Sequence, residues 1–497
     1  MKSMIARGIA PRFIAPLLAA LLLTACAAPV FRQPALDTPL AFKEAAPVLT
    51  AADGSRWAPA RPAEQQPRGE WWLAFQDPGL TELVDEASKN NASLAVAAAR
   101  VKQARAIAGI AQAERMPQVG LGVGAQRARP SALESGLPQG SALAPHTSYS
   151  ASLSASYEVD LFGRVSSSVE AARQDAGASE ASYRSVLLSL QADVAQQWFR
   201  LRTLDAELAT VDDAVRLREE SVRVNQRRFD LGDIGEFDLT RAKTELSATR
   251  AEAIGLQRQR TNAEHALAVL LGRPAARFTA STSPLPEGVA LPAIPAGLPS
   301  TLLERRPDIA AAQRTMEAAN ARIGVARAAM FPALNIHAAG GGVGGTMAEV
   351  FNWSSRSWVL GALLSLPIID GGRNKANVTR SEAALEESVA AYRQSVLVAF
   401  AEVEDNLAGV RILAEQGVEV DDAVRSARRS AELARKLYDA GRSSYLDLLD
   451  AQRNLASVER SAVQLRGNQV LTTVALIRAL GGGWDAPAPQ TTPLAAR

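Results

Sequence analysis

The sequence predicts a mixed fold of helices and transmembrane β-strands, built from one unit of about two hundred residues that is used twice. Residues 163–272 align without a gap on residues 372–481 of the same 497-residue chain. Within that alignment, residues 211–216 (VDDAVR) are identical to residues 420–425. In both copies the hydrophobic pattern also changes from alternating to helical. Each copy is therefore expected to contain β-strands followed by a long helical segment.

The first element is an export signal. Residues 1–25 are basic at the start and then carry an apolar run at 13–23, which is too short to span a bilayer as a helix. The run leads into Leu-Thr-Ala-Cys, which resembles the lipobox of bacterial lipoproteins, and Cys26 is the only cysteine of the chain. The resemblance implies cleavage before Cys26 and a covalent lipid on it, with an S-diacylglycerol and an N-palmitoyl group. Ala27, where lipoprotein sorting rules would place an aspartate for retention, favours the outer membrane.

The charge balance and the histidine pattern exclude several classes of function. Removing the signal's Lys2, Arg7 and Arg12 from 54 basic residues leaves 51, against 52 acidic residues, so nothing favours nucleic acid as a partner. The lone cysteine excludes a disulfide framework. The three histidines are scattered, and no motif of a hydrolase, a zinc protease or a phosphate-binding loop is present. We therefore expect no enzyme, no metal and no cofactor other than the lipid.

Two segments of each copy alternate like β-strands. Between residues 148 and 161, Tyr, Ala, Leu and Val alternate with Ser, Glu and Asp, so that one face suits lipid and the other water. A soluble sandwich with a serine-rich face would show the same alternation, but the export signal and the lipobox favour a membrane strand. The predicted strands are at about 118–126, 148–162, 333–343 and 357–369. Four strands are too few to close a barrel, so the chain is expected to oligomerise.

A long helical hairpin follows each strand pair. The outgoing helix of the first copy repeats apolar residues every seven positions in two series. The first series runs from Leu201 to Phe229. The second contains Leu204 and Val211 and is then interrupted by Arg218 and Asn225. A glycine-containing turn at 230–235 reverses the chain. The second copy repeats this design. We therefore predict two antiparallel coiled-coil hairpins.

These features divide the chain into six segments. The predicted boundaries are 1–25 for the signal peptide, 26–70 for a lipidated tether, 71–272 for the first repeat with its tip at about 230–237, 273–300 for an equatorial linker, 301–484 for the second repeat with its tip at about 439–446, and 485–497 for a tail.

Several short motifs, in this order and spacing, resemble the outer membrane factors of the TolC and OprM kind, in the lipoprotein branch often called NodT-type. They are the lipobox, EWWLAFQDPGLTELV at 70–84, LLERRPDIAAA at 302–312, the strand boundaries Phe331-Pro332 and DGGR at 370–373, and KLYDAGRSSYLDLLDAQR at 436–453. The resemblance implies a homotrimer, with a 12-stranded β-barrel continued by a 12-helix α-barrel that extends into the periplasm.

The resemblance also implies a function and partners. Such a protein is the exit duct of a tripartite efflux pump, which conducts small molecules such as drugs passively to the exterior. Its expected partners are a periplasmic adaptor (a membrane fusion protein) and an inner-membrane transporter, of the RND type. The alternatives are the outer membrane channel of a type I protein secretion system, and a structural or adaptor coiled-coil lipoprotein without a pore.

The resemblance places a gate and an adaptor contact at the hairpin tips. Asp447 and Asp450 match the aspartate rings that narrow the pore, while Tyr438 and Asp238 match groups that hold the tip shut. Ser443 stands where a gating arginine is expected, and Arg442 is its possible substitute. An aspartate is also favoured at any helix start, which is the structural alternative for these carboxylates. The predicted adaptor-contact residues are Leu231, Gly232, Ala440 and Gly441.

Overall fold

The computed structural model describes residues 31, 33–34, 39, 41–44, 69–133, 135–136, 138, 143–287, 291–292 and 305–482. The predicted signal peptide, Cys26, most of the predicted tether and the predicted tail at 485–497 lie outside these residues. None of the helices described is both long and apolar enough to cross a membrane. Because Cys26 lies outside the described residues, its lipidation stays a prediction.

The described part of the chain contains long helices and four strands in the predicted order. The α-helices are α1 (Pro78–Asn90), α2 (Ala92–Ala113), α3 (Arg164–Asp230), α4 (Glu236–Leu270), α5 (Pro307–Ala328), α6 (Arg373–Asp439) and α7 (Tyr445–Ala479). The strands are β1 (Gln118–Ala128), β2 (His146–Val159), β3 (Ala333–Gly344) and β4 (Arg356–Ser365). Single 3₁₀ turns at Trp71–Phe75, Ala275–Arg277, Glu349–Phe351 and Trp353–Ser355 complete the set.

Several boundaries differ from the prediction. The helical segment before β1 is divided in two, because Asn91 leaves the helical conformation and its side chain accepts the N–H of Leu94 at 3.0 Å to begin a second helix. Strand β2 ends at Val159 because the Asp160 carboxylate accepts the backbone N–H groups that start α3. Strand β4 ends at Ser365 rather than at 369, shortly before Pro367, which has no N–H to donate to a sheet.

The chain divides into two compact units. One unit comprises residues 1–35, 100–179 and 311–392, and it contains the four strands. The other comprises residues 36–99, 180–310 and 393–497, and it contains both hairpin turns.

The strand unit holds one antiparallel sheet of order β1-β2-β3-β4. In β1 the residues of one face are Val119, Leu121 and Val123, and in β4 the same face carries Trp358, Leu360 and Leu364. Trp358 is 82% exposed, and the others are exposed as well. The opposite face pairs the glycines of β1 with the serines of β2, for example Gly122 with Ser152. The sheet therefore has one apolar face that is uncovered and an opposite face that is small and polar in β1 and β2, to which β3 and β4 add Val343, Val359 and Leu363.

The hairpin unit has its main core among α1, the middle of α3 and the C-terminal halves of α4 and α7. Phe199, Leu201 and Leu267 are fully buried there with the edge-to-face pair Trp71 and Trp72. A buried ion pair joins the helices of the first hairpin, with 2.6 Å between Arg260 Nε and Asp205 Oδ1. Its charges are compensated further because Arg260 also donates to a backbone carbonyl at 3.0 Å. The core thus holds together the part of the hairpins that lies away from their turns.

The junction at the end of each hairpin is built twice. Asn91 Nδ2 donates to the carbonyl of Leu270 at 2.9 Å, and at the matching place Arg306 Nη1 donates to the carbonyl of Ala479 at 3.1 Å. The glycine after each returning helix has a positive φ, and a Cβ on Gly272 would lie 2.4 Å from a carbonyl oxygen. Different side chains therefore satisfy the same helix end in the two repeats.

A short part of the predicted tether packs on α6. The Phe42 ring lies edge-on to Phe400 at 6.5 Å. The backbone N–H groups of Lys43 and Glu44 both donate to the Glu404 carboxylate, at 2.7 and 3.0 Å. Residues 41–44 are therefore held by specific contacts, which the prediction of a lipidated tether did not include.

Candidate functional site at the hairpin turns

The first hairpin turn is a tight reversal between α3 and α4. The Gly232 N–H donates to the carbonyl of Phe229 at 2.9 Å, and the Asp233 N–H donates to that of Arg228 at 2.8 Å. Gly232 has a φ of +77°, which side-chain-bearing residues rarely adopt. This is the Schellman arrangement that ends many helices.

The second turn repeats this backbone between α6 and α7. The Gly441 N–H donates to Tyr438 at 2.9 Å and the Arg442 N–H to Leu437 at 2.8 Å, with a φ of +70° at Gly441. The predicted turns are therefore confirmed in the backbone. The predicted adaptor-contact residues lie at their apices, where Leu231 is 78% exposed and Ala440 is also exposed.

Asp447 forms hydrogen bonds with Ser444 at the N-terminus of its own helix, α7. The Ser444 N–H and hydroxyl donate to Asp447 Oδ2 at 2.9 and 2.7 Å, and the Asp447 N–H donates to the Ser444 hydroxyl at 3.2 Å. This is a capping box. The hydrogen bonds from Ser444 lower the pKa of Asp447. The carboxylate is solvent-exposed and ionised, so it can contribute negative charge at the turn while capping the helix.

Asp450 lies one turn further along α7 and is exposed. Its nearest cation is Arg453, with 3.7 Å between Oδ1 and Nη1. Arg453 in turn clamps Glu245 of α4 through both carboxylate oxygens, with 2.9 Å between Nε and Oε2. The hydrogen bond from Arg453 lowers the pKa of Glu245. Arg460, seven residues along, likewise pairs with Glu252 and Glu207. These pairs tie α7 to the first hairpin.

Asp238 occupies the position in the first turn that Asp447 has in the second. It lies in the first turn of α4, whose N-cap is Gly235, without a side-chain cap. In the described part of the chain Asp238 makes no hydrogen bond or ion pair. It is half-buried. The structure therefore does not bring Asp238 to Tyr438 within one subunit.

Tyr438 bridges the two hairpins through Arg228. Arg228 Nη1 donates to Tyr438 Oη at 2.7 Å, and the guanidinium lies 5.7 Å from the centre of the ring. The Tyr438 ring also packs on Tyr445 at 6.0 Å, beside Leu449. Sequence reasoning missed Arg228. The signal was present, because the repeat alignment places leucine where the first turn has Arg228, and phenylalanine where the second has Tyr438.

Arg442 and Ser443, the two positions considered for a gating arginine, have different surroundings. Arg442 lies exposed at the second turn. The Ser443 hydroxyl is buried and has no hydrogen-bond partner among the described residues. Arg228 therefore supplies the cation that contacts the tyrosine. In the described residues, no group of histidine, cysteine and acidic side chains could hold a metal ion.

Comparison with known proteins agrees with this architecture. The family described as outer membrane efflux protein matches residues 83–273 and 298–482. The pyoverdine export outer membrane protein OpmQ of Pseudomonas putida is 34% identical over 447 residues, which are 89% of this chain and 94% of that protein. OprJ of Pseudomonas aeruginosa is 35% identical over 474 residues, 95% and 96% of the two chains.

A solved channel of similar fold is available in an open form. The open-state structure of the MtrE outer membrane channel of Neisseria gonorrhoeae matches with a TM-score of 0.78 and 29% identity, over 92% of this chain and 98% of that one. These relatives are channel proteins rather than enzymes. The match over both repeats shows that the chain belongs to the family of outer membrane efflux proteins.

Proposed function

We propose that this protein is a homotrimeric outer membrane channel, the exit duct of a tripartite efflux pump, which conducts small molecules passively from the periplasm to the exterior. The observation that carries the proposal is the four-stranded sheet. One of its faces is apolar and uncovered, and the outer edges of β1 and β4 pair with no other described strand.

The unpaired edge strands β1 and β4 require further copies of the chain. A membrane offers no water to satisfy the free N–H and C=O groups of an edge strand, so a spanning sheet must close on itself. Three copies of this sheet would give a 12-stranded β-barrel, with β1 of one copy beside β4 of the next. The apolar face would then meet lipid, and the glycine and serine face would line the lumen. The matching hairpins would form a 12-helix α-barrel in the periplasm.

The hairpin turns are the proposed contact with the rest of the pump. Leu231 and Phe237 of the first turn are 78% and 75% exposed, an apolar pair that a periplasmic adaptor could cover together with Gly232, Ala440 and Gly441. An inner-membrane transporter, of the RND type, would supply the energy. Relatives are named for the export of pyoverdine and the efflux of toluene and cations, which supports efflux of small molecules here.

The gate is proposed at the same turns. Three copies of Asp447 and Asp450 would place rings of negative charge around the axis, which attract cations and repel anions. The Arg228–Tyr438 bond and the Glu245–Arg453 pair would hold the hairpins of each subunit together while the tip is closed. Asp238 would find its partner on a neighbouring subunit.

The lipid on Cys26 is proposed as a second attachment to the outer membrane, because a single acyl anchor alone binds weakly. The contacts of Phe42 and Glu44 with α6 support this arrangement, since they attach the chain that follows Cys26 to the helical part of the protein.

Two measurements on the purified protein in detergent test the proposal. Its detergent-corrected mass should correspond to three copies, and it should form channels in planar bilayers. Asp447→Ala/Asp450→Ala should raise the resting conductance and weaken the preference for cations. The matched control is Asp212→Ala/Asp421→Ala, which removes two exposed carboxylates at equivalent places of the two repeats, away from the turns. A monomer without channel activity would overturn the function, and unchanged currents in the first variant would overturn the gate assignment.

A further inference from the structure

Helix α3 loses its apolar packing where it approaches the first turn. The series that begins with Leu204 and Val211 continues with Arg218 and Asn225, both of which are buried. Val222 lies between them on the same face and packs against the buried cluster of Ala242, Tyr445 and Leu449. We refer to Arg218, Asn225 and Tyr445 as the polar seam.

Each member of the polar seam has a buried polar atom without a partner. Arg218 is 6% exposed, and although its Nη1 donates to Gln452 Oε1 at 3.2 Å, its Nε has no acceptor. Asn225 is 1% exposed, and its Nδ2 donates to the carbonyl of Ser221 while its Oδ1 accepts nothing. The Tyr445 hydroxyl also lacks a hydrogen bond of good geometry, although Ser221 lies close enough to act on its pKa.

Three of the six buried side-chain atoms that lack a partner in the described residues belong to the polar seam. In the described part of the chain, the other buried side-chain atoms without a partner are the adjoining Ser443 hydroxyl and the two indole nitrogens of Trp71 and Trp72. Burial lowers the pKa of Arg218 and raises that of Tyr445, as expected for polar groups that have been removed from water. The burial of these polar groups therefore works against close packing at the end of the hairpin that carries the proposed gate.

The second repeat has no such seam. The positions that match Arg218 and Asn225 are Ala427 and Ala434, and Ala427 is buried without any polar group. The polar residues are therefore not required by the coiled coil as such. They occur only where α3 packs against α7, which is the contact between the two hairpins of one subunit.

We propose that the polar seam is a conformational device that holds the closed tip close to balance with an open one. When α7 moves away from α3, water reaches Arg218, Asn225 and Tyr445, and the cost of their burial disappears. The Arg228–Tyr438 bond and the Glu245–Arg453 pair oppose this movement. The opening that follows docking then needs only a small free energy from the partner. This inference rests on the proposed function of the tip as a gate.

Hydrogen exchange measured by mass spectrometry on the full trimer tests the seam directly. Arg218→Leu/Asn225→Leu continues the apolar series, and it should slow exchange in peptides at the two turns by about tenfold or more, because two buried unsatisfied groups are removed. Arg218→Ala/Asn225→Ala, which introduces the residues of the second repeat, should act in the same direction. The control Arg216→Leu/Arg223→Leu replaces two exposed arginines of α3 outside the seam and should leave exchange at the turns unchanged.

Exchange at the turns that is unchanged or faster in both seam variants would overturn the inference. Single-channel recording of the same variants separates this inference from the proposed function. Slower exchange with a lower resting conductance supports both. Slower exchange with unchanged conductance supports the seam as a device of the tip, and it overturns the tip as the gate.

Discussion

The two hairpin turns share one backbone and differ in what their side chains do. Gly232 and Gly441 have similar positive φ values, +77° and +70°, and the two helix-ending hydrogen bonds are 2.9 and 2.8 Å long in both turns. Beyond the backbone the turns diverge. The second turn has a capping box at Ser444, whereas the first has Gly235 and an uncapped helix start.

This difference shows that one backbone turn can carry two different sets of side-chain contacts. The backbone of a tight turn tolerates little change, since only glycine fits the left-handed position easily. The side chains around it differ between the repeats, since Arg228 aligns with Leu437 and Tyr438 aligns with Phe229. The second turn is held by its own cap and by the bond from Arg228 to Tyr438. The first turn kept exposed apolar residues, Leu231 and Phe237, which suit a contact with another protein.

The largest effect is expected from removing the cap of the second turn. Ser444→Ala abolishes the hydroxyl that accepts the Asp447 N–H, and it should destabilise the start of α7 by about 1 kcal/mol. Hydrogen exchange in the peptide covering 440–449 should accelerate accordingly. The reciprocal change Gly235→Ser offers Asp238 a partner. It should stabilise the start of α4 by a few tenths of a kcal/mol and slow hydrogen exchange there to a matching degree. Equal exchange in Ser444→Ala and the wild type would show that the cap contributes nothing.

A smaller effect is expected from pH. The folded state lowers the pKa of Asp447, so the bonded carboxylate stabilises the second turn above the unfolded pKa of an aspartate, about 4. That contribution is lost as the pH falls through the lower, folded value. The start of α7 should therefore be less stable below about pH 4, which would be measured as faster protease cleavage there. Asp447→Asn should remove this pH dependence. Identical pH profiles for the wild type and Asp447→Asn would contradict the assignment.

The sequence was sufficient to predict the repeats, the four strands, the hairpins and the two turns, because each leaves a local pattern of period two, period seven or glycine. It was not sufficient for the break at Asn91, where one side-chain cap overrides a continuous helical pattern. The end of β4 at Ser365 depends on Pro367, whose effect was underestimated.

The contacts of the candidate site were harder to predict for a different reason. Arg228 and Tyr438 are 210 positions apart, so their contact depends on how two hairpins pack and not on either local pattern. The engagement of Asp447 by Ser444 is local, and the S-x-x-D spacing could have shown it. Whether Asp447 and Asp450 also form rings depends on sister copies.

The most direct test of the account is to fix the two turns to each other in the bilayer. Arg228→Cys/Tyr438→Cys places thiols at two side chains that touch, and a short bis-maleimide can join them, with each single-cysteine variant as a control. Before the reaction the double variant should conduct more than the wild type, since the bond between the hairpins is gone. After it, the single-channel conductance should fall below that of the unreacted channel, while the single variants stay unchanged. A linked channel that conducts as freely as the unlinked one would contradict the claim that the hairpin turns control this pore.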